Sequence, residues 1–179
     1  MRRSPASALL PAGLALVAGL LLAGCTAADS PAPASAEATA SDAASAECAG
    51  VRVLVDFGGL DADPIDECVD ADGTIAATDV LDEAGVTVEG SAEYGDQILC
   101  RVDGRPAADE TVEVDGEEPF VESCASMPPA YAYWALWQRT EPDAEWGYAQ
   151  EGVGTLQVEP GQSLGIVWTT GTETPTPED

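Results

Sequence analysis

Val51-Arg52-Val53-Leu54-Val55-Asp56-Phe57, closed by Gly58-Gly59, is a run of β-branched and aromatic residues that stops at turn formers. It reads as a strand. Downstream the period changes: Ile75, Ala76, Val80, Leu81 and Ala84 fall at helical spacing, with Thr74 or Asp72 placed to cap the start and Gly85 placed at the stop. One short amphipathic helix is predicted over 74–84. Strand patterns resume at Val86 to Gly90 and at Gln97 to Val102, the second closed by the turn pair Asp103-Gly104. After a polar stretch through Glu118 come an aromatic segment, Tyr131 to Trp137, then Trp146-Gly147-Tyr148, Thr155 to Val158, the turn Glu159-Pro160-Gly161 and a last strand, Leu164 to Trp168. A small sheet with one packed helix is an α+β arrangement.

The chain around this pattern has 179 residues, 6 arginines, no lysine, no histidine and 33 acidic residues, a formal charge of −27. Without histidine there is no Ser-His-Asp triad, no Cys-His pair and no imidazole metal ligand, so an enzyme is not expected. The negative field repels nucleic-acid phosphates and anionic lipid headgroups, and nucleic acid is excluded as a partner.

Residues 1–24 carry Arg2-Arg3, an apolar stretch from Ala8 to Leu22, and Leu22-Ala23-Gly24 ahead of Cys25. This reads as a signal peptide. Its end resembles the lipobox of bacterial lipoproteins, which implies that Cys25 is acylated and becomes the new N-terminus. Two or three acyl chains give stable anchoring where one gives only marginal binding. The predicted location is therefore the extracytoplasmic face of the cell membrane, held by lipid. From Thr26 to Glu47 only Ala, Ser, Pro, Thr, Asp and Glu occur, so residues 25–47 read as the lipidated cysteine and a disordered linker. Stretched, it spans about 70 Å. Residues 170–179, with Thr174-Pro175-Thr176-Pro177, read as a disordered tail, leaving 48–169 as the folded domain.

Four cysteines, Cys48, Cys68, Cys100 and Cys124, lie in that domain, an even number in an exported chain. Three connectivities are open. Linking Cys48 to Cys68 and Cys100 to Cys124 makes two short loops that do not overlap, and is the expected pairing. The acidic run Asp61 to Asp72 does not form a calcium loop, because an EF-hand alignment puts Cys68 where the first carboxylate ligand belongs; it reads as a solvated loop. No metal and no required cofactor are predicted.

Seven of the ten aromatic side chains fall between residues 131 and 168. On a strand, Tyr133 and Trp137 share one face and Trp134 and Leu136 the other. One set packs in the core; the other is available to hold a flat, partly apolar ligand.

In residue order the domain resembles the C-terminal β domain of transcobalamin and intrinsic factor and the bacterial secreted domains similar to it. The features are the strand Val51 to Phe57, the helix and turn Ala77 to Gly85, the run Ile98-Leu99-Cys100-Arg101-Val102-Asp103-Gly104-Arg105-Pro106, the signature Tyr133-Trp134-Ala135-Leu136-Trp137 with Pro128-Pro129 ahead of it, and the spacing of Gly152-Val153, Val158 and Gly161. The resemblance implies a β-grasp-like fold of the soluble-ligand-binding type, with Tyr133 and Trp134 facing a ligand and cobalamin as a possible one. With Trp137 and Trp146 added from the aromatic cluster, these are the candidate contact residues. The reading is a lipid-anchored binding module for a small molecule such as a corrinoid; the alternative is an envelope module whose aromatic face docks an exported protein.

Overall fold

A computed structural model describes residues 48–178. The predicted signal peptide, Cys25 and the linker lie outside the described residues. Among the described residues the structure is mostly β with one short helix, broadly α+β.

A five-stranded sheet carries the domain, built from β1 (Val51–Asp56), β2 (Ile65–Val69), β8 (Ala132–Arg139), β9 (Gly147–Tyr148) and β11 (Ser163–Thr170) in the order β2-β1-β11-β8-β9. The first and last long strands, β1 and β11, lie side by side in parallel, Val53 opposite Leu164 and Val55 opposite Ile166. Every other pairing in this sheet is antiparallel. Three small two-stranded sheets flank it: β3 (Ile75–Ala76) with β10 (Gln157–Val158), β4 (Val88–Ser91) with β5 (Gly95–Val102), and β6 (Thr111–Val112) with β7 (Phe120–Val121).

The helix α1 (Ala77–Glu83) is shorter than its sequence pattern. Ile75 and Ala76 belong to β3, so the start is Ala76 and neither Thr74 nor Asp72 caps it. No side chain fills the cap; instead the Ala77 N–H donates to the Leu156 carbonyl of the adjoining loop. The stop is where the pattern puts it: Gly85 has φ +75°, and Val86 N–H reaches back to the Leu81 carbonyl. Ala77, Val80 and Leu81 are buried in one apolar cluster with Val51, Val53, Val55, Leu164 and Ile166. Each of the valine, leucine and isoleucine side chains contributes roughly 1.5–3 kcal/mol when fully buried.

One element was not legible. Inside the acidic run, taken for a solvated loop, Ile65–Val69 forms the edge strand β2, and Asp66 accepts a two-pronged ion pair from Arg52 at 2.8 Å for each contact. Three exposed residues and a partner strand on one side only explain why an edge strand looks like a loop in sequence. The cysteines pair as expected, Cys48 with Cys68 and Cys100 with Cys124. Asp103 and Gly104 both have positive φ, 48° and 70°, and Val102 and Arg105 exchange backbone hydrogen bonds across them, a tight primed turn. No helix among the described residues is long and apolar enough to cross a membrane.

The sheet has two covered faces. Toward α1 lie Ala132, Trp134 and Leu136 of β8 and Leu164, Ile166 and Trp168 of β11. On the second face Ala135, Trp137 and Val167 form a separate cluster with Tyr133 and Trp146 packed against it. Residues 171–178 have no strand or helix, yet they lie along that face: Pro177 is buried, and the Tyr133 and Thr174 hydroxyls are 2.6 Å apart.

Candidate ligand cleft

β9 pairs with only two residues of β8, Trp137 and Gln138, so most of that edge of β8 is left without a strand neighbour. Beside it opens a cleft of about 500 Å³. Its walls come from three directions: Gln97, Ile98 and Leu99 at the start of β5, the Met127-Pro128-Pro129-Ala130 loop, and Tyr148 to Val153, with Tyr133, Trp134 and Leu136 forming the floor.

Local sequence explains each wall. Gly152 sits so close to the Gln97 backbone that a Cβ there would overlap it, and Gly154 N–H donates to the Asp96 carbonyl at 3.2 Å, so the 148–153 segment is laid against β5. Pro128 and Pro129 cannot donate backbone hydrogen bonds, which suits an exposed wall, and the Pro129 carbonyl accepts from Ala132 where β8 begins. Met127 and Tyr148 remain 58% and 46% exposed, an uncommon allowance for side chains of this size at one opening.

The polar side chains in this apolar setting are the phenols of Tyr133 and Tyr148, the amides of Gln97 and Gln150, and the carboxylate of Glu151 at the rim. Burial, followed by the charge and the hydrogen bond of Tyr133, raises the Tyr148 hydroxyl above its ordinary pKa of 10.0. Tyr133 thus links two hydroxyls, Tyr148 at the cleft and Thr174 of the C-terminal segment. Such groups donate and accept hydrogen bonds to a neutral ligand.

The four contact residues named from sequence divide into two pairs. Tyr133 and Trp134 line the cleft. Trp134 is also committed to the core: its ring meets Phe57 and Trp168 edge-on at 5.5 and 5.3 Å, and its N–H donates to the Arg105 carbonyl at 3.1 Å. Trp137 and Trp146 do not line the cleft but sit on the second face, Trp137 edge-on to Tyr148 at 5.1 Å and Trp146 beneath the Arg139 guanidinium at 4.5 Å. The site reading passed over Tyr148, Met127 and the start of β5. Tyr148 belongs to the aromatic cluster and could have been included; the β5 residues become neighbours only through the close approach at Gly152.

Arg101 is a structural residue with no advance signal. Nearly buried, it donates to the Pro106 and Glu122 carbonyls at 2.9 and 2.7 Å, pairs with Glu89 at 3.0 Å and reaches Cys124 Sγ at 2.6 Å, tying β5 to the loops behind the cleft. Cys100, Glu122 and Cys124 are the metal-type grouping among the described residues, but the cysteines are joined to each other, which leaves one carboxylate. Compared with known proteins, the chain matches no family model, no curated protein and no solved structure.

Proposed function

We propose that this is a lipid-anchored, extracytoplasmic binding module of β-grasp type that captures a neutral or cationic small molecule, partly apolar and flat, in the cleft beside β8. The observation that carries the reading is the cleft itself: about 500 Å³, walled by Leu99, Pro128, Pro129, Leu136 and Val153, with two phenols at hand. That volume lies in the usual range for small-molecule sites. The strand order β2-β1-β11-β8, with first and last strands parallel at the centre and a helix after the β1–β2 hairpin, supports a β-grasp assignment. The open rim, with Met127 and Tyr148 exposed, suits a ligand larger than the cleft that inserts one edge, as a corrinoid would. The acidic surface favours neutral or cationic ligands over anionic ones. No catalytic role is assigned.

Calorimetric titration of the full chain in detergent with cobalamin and a panel of planar cofactors tests this. Saturable heat that Tyr148→Ala or Met127→Ala removes, with the melting temperature kept, supports capture. Silence across the panel rejects it and favours the alternative, docking of an exported protein. Trp134→Ala is the wrong probe, because truncating a core tryptophan costs about 3–5 kcal/mol of stability and confounds loss of binding with loss of fold.

A further inference from the structure

The second face of the sheet holds a site of another kind. Gly165 of β11 has no side chain, and Pro177 and the Trp146 ring occupy the space above it so closely that a Cβ there would overlap the proline and crowd the indole. Pro177 is buried, and three residues upstream the Thr174 hydroxyl meets Tyr133 at 2.6 Å. The segment between them is Thr174-Pro175-Thr176-Pro177, in which proline fixes alternate φ angles and pushes each preceding threonine into extended backbone. An extended proline-containing segment laid beside Tyr133 and Trp146 is the chemistry by which aromatic grooves recognise polyproline-type peptides, whose backbone carbonyls are free to accept.

The chain's own segment fills this groove incompletely. The indole N–H groups of Trp137 and Trp146 are buried with no acceptor among the described residues, although Tyr and Trp at such positions ordinarily find one. Glu173, Glu178 and Asp179 are among the acids that give the molecule its formal −27, so the field of the remaining acids works against the segment. We propose that the face between Tyr133 and Trp146 is a docking groove for an extended, proline-containing, neutral or basic segment of a partner protein, and that Thr174–Pro177 occupies it in cis as a displaceable strap. A partner segment that presents carbonyls to the two indoles and lacks the acids displaces the strap. This groove is separate from the cleft, sharing only Tyr133, so either assignment can fail alone.

The test uses the full chain, a variant ending at Gly171, and a synthetic peptide of residues 171–179 with Glu173→Gln, Glu178→Gln and Asp179→Asn, read by tryptophan fluorescence. The shortened chain should bind the peptide saturably and the full chain about tenfold more weakly or worse, since the cis strap leaves only a fraction of molecules competent. Changing both prolines of the peptide to alanine should abolish binding. If removal of the segment unfolds the domain by near-ultraviolet circular dichroism, Pro177→Ala in the full chain loosens the strap instead and should raise peptide affinity. The proposal is overturned if the shortened chain ignores the peptide, if the alanine peptide binds equally, or if neither variant exceeds the full chain. A concentration-dependent dimer that vanishes on shortening would also overturn it, making a second copy the occupant.

Discussion

Two tyrosines share work that their sequence positions do not suggest. Tyr133 is on a strand and Tyr148 fifteen residues further on, yet burial and the neighbouring Tyr133 hydroxyl hold the Tyr148 proton above its ordinary range. In a spectrophotometric titration of phenolate, Tyr148 should therefore ionise above its ordinary pKa of 10.0, and Tyr133→Phe should bring it back toward pH 10, since the charge and hydrogen bond of Tyr133 both raise it. The linkage has a definite sign. The folded value lies above the unfolded one, so as pH rises the unfolded chain loses this proton first; stability is untouched below about pH 10 and falls between the unfolded and folded values. A melting temperature that rises in that window would contradict the assignment. Trp134 shows the opposite relation between sequence and role: the Tyr-Trp signature marks it as a contact residue, but two ring contacts and a half-buried N–H bond to the Arg105 carbonyl employ it in the core. Alternation gave its face; what stands opposite that face is decided by other strands.

At the level of elements, α1 starts later than its sequence pattern places it. The apolar spacing of Ile75 and Ala76 is satisfied equally by a helix turn and by pairing with β10, and pairing across some eighty residues prevails because it also supplies an acceptor for the Ala77 N–H. The cost is an uncapped N-terminus at Ala76. Ala76→Ser should therefore stabilise the domain by about 0.5–1 kcal/mol, read as a rise in the denaturation midpoint with unchanged slope. The Cys100–Cys124 link closes the segment that carries Arg101 and the loop leading to the cleft wall. Replacing both cysteines by alanine should lower stability by about 3 kcal/mol on the chain-entropy account. Arg101→Met should add to that by less than its effect in the intact protein, because Arg101 and Cys124 are in contact and adjacent changes are not additive. Full additivity in the double-mutant cycle would show that Arg101 acts only through Glu89 and the Pro106 and Glu122 carbonyls.

At the scale of the molecule, the acidic composition and the proposed tether bear on function more than any single side chain does. The proposed lipid on Cys25 predicts that Cys25→Ala shifts the protein from the membrane fraction to the medium or leaves it unprocessed; membrane retention with acyl label in that variant would remove the anchor from the proposal. The two surfaces, cleft and strap-covered groove, meet at Tyr133, whose hydroxyl touches both Tyr148 and Thr174.

The sequence by itself determined what is local. The strand at Val51, the stop at Gly85, the primed turn at Asp103-Gly104 and the face alternation from Tyr133 to Trp137 follow from side-chain branching, permitted φ angles and a two-residue period, and none requires a distant neighbour. Pairing of near cysteines followed from loop length. Tertiary structure alone decided the rest: that Ile65–Val69 is an edge strand, that Gly152 meets Gln97, that Trp134 and Trp137 serve different surfaces, and that Pro177 returns to cover Gly165. Each of these is set by pairing or packing between segments rather than within one, as the parallel β1–β11 pair joins the two ends of the domain, and a contact between distant segments has no local energy for the sequence pattern to record.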